Sequence, residues 1–288
     1  MRPRSTNEWV GQFANRITKL PRSIQELVEE FRDELFTVLG KNLVGAYLHG
    51  SIAFPEYEPR AGDIDFHVVV RKSLTGEDIK GLDRLHRTLA AKFEFGKRLD
   101  GFYISLAKAR RSRIPRGLVY GAHGRIHRGG SDDTWALHRE HLHASAYIRL
   151  QGPSGSRIFP RADWKSIRSA LYRQLLYARK IIESDSWWAV LNLCRLVYSF
   201  ENGRTVISKV GAARWALKRL PSKWRPVIRS AIKTYHGTET SNERAVLKRD
   251  SRKFLGFASV RIIAFDSTWD SRQPHIAHLR KRERRAGR

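Results

Sequence analysis

Apolar and polar positions in the first half of the chain keep switching between two periods. Ile24-Gln25-Glu26-Leu27-Val28 has helical spacing, and the helix it predicts ends near Gly40, with Ser23 placed to cap its start. Val44-Gly45-Ala46-Tyr47-Leu48 and Ile64-Asp65-Phe66-His67-Val68-Val69-Val70 are apolar runs of strand length. Leu82, Leu85 and Leu89 recur at helical spacing inside a stretch from about Glu77 to Phe93, and Leu99 to Ser105 reads as a further strand. This alternation over residues 24–150 predicts an α/β domain. The turn residues Gln151-Gly152-Pro153-Ser154-Gly155-Ser156 predict a loop. Beyond Pro160 nearly everything reads as helix, broken at Asn202-Gly203, Pro221 and His236-Gly237, and Ser208 is placed to cap a helix running to Leu220. The expected order is a basic extension over 1–22, an α/β domain over 23–150, a linker over 151–162, an α-helical bundle over 163–270 and a disordered basic tail over 271–288. There is no internal repeat.

Composition narrows the classes. With 288 residues, 41% of them hydrophobic, the chain is long enough for one large or two modest cores. No apolar run approaches the ~20 residues that span a bilayer, and Met1-Arg2-Pro3-Arg4-Ser5-Thr6 lacks the apolar stretch of a secretory signal. Cys194 is the sole cysteine, which excludes an intramolecular disulfide and a cysteine-based zinc site. A cytoplasmic monomer without a membrane role is expected. A net charge of +27 attracts polyanions and leaves nucleic acid open as a partner, against general basicity as the plainer account. The six tryptophans from Trp135 to Trp224 are read as packing residues.

The candidate chemistry lies in and between the first two strands. Leu48-His49-Gly50-Ser51 places a Gly-Ser turn after one strand, and Gly62-Asp63-Ile64-Asp65 opens the next. Side chains alternate along a strand, so Asp63 and Asp65 share a face. Two close carboxylates repel unless a cation sits between them, and an oxygen-only set of this kind suits Mg²⁺ together with substrate phosphates. The glycine lets backbone and hydroxyl donors come close to a phosphate. A bare Asp-x-Asp is more often a solvated strand start, whereas the whole strand–Gly-Ser–spacer–Asp-x-Asp–strand arrangement is far more restrictive. Asp100, on the third strand, converges with Asp63 and Asp65 if the strands are neighbours; otherwise it is an edge carboxylate before a glycine.

With those residues in place, the chain resembles the nucleotidyltransferase superfamily, and within it the aminoglycoside adenylyltransferases that modify streptomycin and spectinomycin. Leu48-His49-Gly50-Ser51 with Asp63-Ile64-Asp65 is similar to the family's Gly-Ser…Asp-x-Asp signature, and Lys97-Arg98-Leu99-Asp100 to the segment ending in its catalytic Glu. Leu191 to Ser199 resembles the helix whose Arg contacts the nucleotide, and Asn202-Gly203-Arg204…Ser208-Lys209, Ala213 to Pro221 and Tyr235-His236-Gly237 continue the likeness, which spans roughly residues 35 to 240. The resemblance implies an α/β (α+β) nucleotidyltransferase domain with a mixed sheet, followed by a helical bundle, with ATP and acceptor in the cleft between them. It implies ATP, two Mg²⁺ ions and transfer of AMP to a hydroxyl of a small acceptor. Asp63 and Asp65 would be metal ligands, Asp100 the base or a further ligand, and Gly50, Ser51, Arg195 and Lys209 the nucleotide-binding set. A cation at a helix N-terminus is disfavoured by the macrodipole, which argues for a functional reason for Lys209.

Departures from the pattern bear on the acceptor. Asp100 stands where the family has Glu, one methylene longer. The family's drug-binding acids map to Asp185, with Glu183 close by, while the second position holds Ile181. The stretch corresponding to the family's streptomycin-stacking Trp, the loop from Gly117 to Gly130, offers Tyr120, His123 and His127 instead. These losses disfavour streptomycin and leave spectinomycin. The alternatives are nucleotidyl transfer to RNA or another polyanion, and a non-catalytic nucleic-acid-binding protein. In the run Trp135 to His143, only His138 and His141 would share a helical face; a metal site there is conceivable, but a supporting or packing role is commoner for histidine.

Overall fold

The computed structural model describes residues 17–268 in two compact units, one up to Ile167 and one from Arg168. The expectations placed on residues 1–16 and on the tail from Ser271 lie outside the described residues.

The first unit is built on a six-stranded mixed sheet of order β5-β4-β3-β2-β1-β6. Its elements are α1 (Arg22–Leu39), β1 (Leu43–His49), β2 (Ile64–Val70), α2 (Gly76–Lys92) and β3 (Leu99–Ser105), then α3 (Leu106–Ala109), β4 (Arg116–Ala122), β5 (Arg125–Ser131), α4 (Trp135–His143), β6 (Ile148–Gln151) and α5 (Gly155–Ile158). Only β2 and β3 pair in parallel, joined by the crossover through α2; the other pairs are antiparallel. Strand alternation sorts β2 cleanly. Phe66, Val68 and Val70 enter a core with Phe31 and Leu35 of α1 and Leu82, Leu85 and Leu89 of α2. Val69 faces the opposite way, into a second core with Tyr47, Ile104, Trp135 and Phe159. The odd-numbered face of β2 is therefore covered by α4, and it is the face that carries Asp65 and His67.

Three local expectations are corrected. The first helix begins at Arg22 with Pro21 as N-cap, so Ser23 lies inside its first turn rather than capping it; a proline before the first turn presets the entry backbone. Gly117 to Gly130 is not a loop but the β4–β5 hairpin, turned by His123 and Gly124, both with positive φ (51° and 74°). Residues 151–162 are not a linker. Ile158 and Phe159 are buried in the second core, Phe159 O accepts from His143, Ala162 N donates to Glu140, and the buried Arg139 guanidinium donates to Arg161 O at 3.1 Å. The Gly-Pro-Ser composition marked the turn, while the apolar pair after it ties the segment to α4.

The second unit is helical: α6 (Trp164–Ile181, which begins in the first unit), α7 (Ser186–Asn202), α8 (Lys209–Arg219), α9 (Arg225–Tyr235) and α10 (Ser241–Ser267). In α7 the run from Ala189 to Val197 is buried except at Arg195, because α8, α9 and α10 all pack on it. Ser208 caps α8 by accepting from Gly211 N at 2.8 Å. A capping box starts α10: Thr240 caps it, and Glu243 bonds back to Thr240 and to Lys233, which holds the Glu243 carboxyl down at about 2 from an ordinary 4.5. A depressed acid contributes stability that is complete above its ordinary value and is lost as pH falls through its folded value. Glu243→Gln is expected to flatten the acid limb of the pH–stability profile between about 4.5 and about 2. Urea unfolding across that range checks this. Among the described residues no helix is long and apolar enough to cross a membrane.

Candidate active site

β1 ends at His49 and the chain turns at Gly50, whose φ of +70° is left-handed. The turn is tight against β2: a Cβ at Gly50 would stand 2.0 Å from Asp65 Oδ2. Glycine is required both by the backbone and by the space. Ser51 Oγ donates to the Asp63 carbonyl at 3.3 Å, and Gly62 leaves room for that hydroxyl, since a Cβ there would come within 2.7 Å of it. The two ends of the spacer are thus tied together beside the carboxylates.

Asp65 pairs in register with Asp100 across the parallel β2–β3 ladder, which puts both on one face of the sheet. Asp63 immediately precedes β2, its carboxylate exposed and 3.8 Å from the Arg98 guanidinium. Desolvation first, and then the Asp63 charge, raise the Asp100 carboxyl above the usual range, although it reaches solvent; His123, His138 and His127 pull it back. Gly50, Ser51, Asp63, Asp65 and Asp100 are therefore together in the first unit.

The remaining expected site residues belong to the second unit. Arg195 donates to Asn192 Oδ1 at 2.7 Å, and Asn192 in turn donates to Gln174. Lys209, the first residue of α8, lies 4.3 Å from the centre of the Trp188 ring. That cation–π contact gives the ammonium a local partner, so the unfavourable dipole position does not by itself demand a phosphate. Asp185 is the N-cap residue of α7, its carboxyl raised by desolvation and drawn back by the Trp188 backbone N–H and the Lys209 charge. Glu183 is already paired with Arg252.

A second polar cluster lies on the same sheet face. His67, two residues beyond Asp65, and His49 are buried, with His49 Nε2 and His67 Nδ1 2.7 Å apart. The buried Asp132, just before α4, lies 3.3 Å from His67 Nε2 and 2.8 Å from His138 Nδ1, and also accepts from Thr134. Burial pushes Asp132 up, but the His138 charge and the bonds from both imidazoles outweigh it and hold the carboxyl ionised. Desolvation lowers both His49 and His67, so both are neutral imidazoles near pH 7. An ionised Asp132 accepts from His67 Nε2–H, leaving Nδ1 as the lone pair that faces His49. Of the His138/His141 pair, His138 turns to His49, His67 and Asp132, while the His141 ring packs against Phe54. Sequence reading passed over His49, His67 and Asp132, although the strand alternation that joined Asp63 to Asp65 continues to His67.

Comparison with known proteins adds an independent line. A family described as "Aminoglycoside adenylyltransferase, C-terminal domain" matches residues 157–258. An aminoglycoside (3'') (9) adenylyltransferase of Rhizobium radiobacter is 33% identical over 96 residues, 31% of this chain and 34% of that protein. The 33%-identical matches thus span about a third of those relatives' length. A spectinomycin 9-adenylyltransferase of Staphylococcus aureus is 26% identical over 76% of this chain and 86% of its own. The crystal structure of spectinomycin adenyltransferase AAD(9) from Enterococcus faecialis, with ATP and spectinomycin, has the same fold: TM-score 0.67 at 18% identity, over 82% of this chain and 98% of that one.

Proposed function

We propose, for a chain that belongs to the aminoglycoside adenylyltransferase family, that it moves AMP from ATP to a hydroxyl of a small aminoglycoside- or aminocyclitol-like acceptor. Spectinomycin-like acceptors are favoured over streptomycin. The observation that carries the reading is the set of three carboxylates: Asp65 and Asp100 in register on one sheet face, with Asp63 near enough for its charge to raise Asp100, beside a glycine turn with no room for a side chain. The acceptor oxygen bonds to the α-phosphorus, the bond to the bridging oxygen of pyrophosphate breaks, and Asp100 takes the hydroxyl proton.

The donor set fits Mg²⁺: it is all oxygen, and the mutual repulsion felt by Asp100 is what a dication would relieve. Asp63 and Asp65 would hold the ion, with Asp100 as base or further ligand; when bound it neutralises charge on the phosphate oxygens. The chain's own part is positioning. Gly50 brings the backbone to the phosphates, and Ser51 offers its hydroxyl. Arg195 would supply a forked donor and Lys209 a point charge to the triphosphate. Asp185 would hold a cationic group of the acceptor.

Support for the acceptor comes from two sides. A spectinomycin-named relative is matched over 86% of its length, and Ile181 stands where a second drug-binding acid is expected. A pyrophosphate-release assay with ATP and Mg²⁺ tests this against spectinomycin, streptomycin and tRNA. Release is expected with spectinomycin and near background with the other two. Release driven by tRNA and suppressed by salt would overturn the small-acceptor reading.

A further inference from the structure

We propose that His49, His67 and His138 form a binding site for a transition-metal dication such as Zn²⁺, separate from the carboxylate set. The three imidazoles come from three elements, β1, β2 and α4, and each offers a ring nitrogen, all lying within 4.8 Å of one another. Ring centroids are 4.6 Å apart for His49–His67 and His49–His138, and 5.3 Å for His67–His138. Neutral imidazole nitrogen is the ligand that suits Zn²⁺, Co²⁺ or Ni²⁺, whereas Mg²⁺ takes oxygen.

The surroundings match what such a site needs. Asp132 is buried and bonds to His67 and His138, the outer carboxylate that fixes ring orientation and raises ligand basicity. Thr134 lies 3.1 Å from His138 Nε2 and also bonds to Asp132. Trp135, Phe102 and Phe159 pack around the His67 ring. Access is through His138, whose side chain is 27% exposed while His67 and Asp132 are at 1%. Coordination requires two adjustments. His49 Nε2 and His67 Nδ1, now 2.7 Å apart, would separate to about 3.3 Å around a tetrahedral ion. His138, keeping Nδ1 on Asp132, would turn Nε2 from Thr134 to the ion and release any proton it holds there. His49 then carries its proton on Nδ1. The bare cluster holds together by hydrogen bonds, so the ion is an addition to a folded site rather than a condition for folding.

The probe is Co²⁺ alone, added to untagged, chelator-treated protein and followed by its visible absorption, with Zn²⁺ competing it away. One equivalent is expected to bind with at least micromolar affinity and to raise Tm. His49→Asn and His138→Gln are expected to abolish the spectrum, and Asp132→Asn to weaken binding about tenfold or more. Asp63→Asn and His127→Gln are expected to retain it. Absence of a Co²⁺ spectrum together with an unshifted Tm in the wild-type protein would overturn the proposal, whatever the variants do. So would a spectrum that survives His49→Asn, or one lost in Asp63→Asn.

Discussion

Asp65→Asn is expected to lower ATP-dependent pyrophosphate release roughly a thousandfold while leaving the fold intact, since several kcal/mol of charge stabilisation at the transferred phosphoryl group are at stake. The substitution keeps the volume of a side chain that lies against Gly50 and in register with Asp100. The charge goes and the volume stays, so Tm is expected to remain close to that of the wild type. That separates a chemical role from a structural one. Release by the variant within tenfold of wild type, measured at saturating Mg²⁺, would sink the assignment of the carboxylates. A lowered Tm with proportionate loss of release would reassign Asp65 to folding.

Much of this site could be read from residues alone because its parts are local. Gly50-Ser51, Asp63 and Asp65 sit at a strand end and a strand start, where period-2 alternation fixes the shared face. Asp100 needed one further inference, that β2 and β3 are neighbours, and the helical crossover between them favours a parallel pair. The same alternation contained His67. It went unread because its partners are remote: His49 joins through the antiparallel β1–β2 ladder, and His138 and Asp132 come from the segment that covers the sheet. Tertiary packing of that kind leaves no period in the sequence. The supposed linker failed for a related reason. Gly152-Pro153 marks a turn by composition, but Ile158 and Phe159 take their meaning from a core built by Tyr47, Ile104 and Trp135. In the helical half the signals were again local: Ser208 caps through its own hydroxyl, and α7 is a long apolar run that only a bundle can surround.

Gly50→Ala is expected to be the more informative substitution, because it keeps every charge and moves them. The new methyl meets two obstacles at once. The left-handed backbone, at φ +70°, costs an alanine about 1–2 kcal/mol. The Cβ would also overlap Asp65 Oδ2 at 2.0 Å, so the carboxylate must swing away. A displacement of about 1 Å in a positioned group costs on the order of a hundredfold in rate. Gly117→Ala supplies the control: its φ is +63°, and nothing lies within 4 Å of an added Cβ. Both variants are expected to lose comparable stability in urea unfolding, and only Gly50→Ala to lose pyrophosphate release about a hundredfold. If the two behave alike in both measurements, backbone strain alone explains Gly50. The close approach of the turn to Asp65 would then have no part in catalysis.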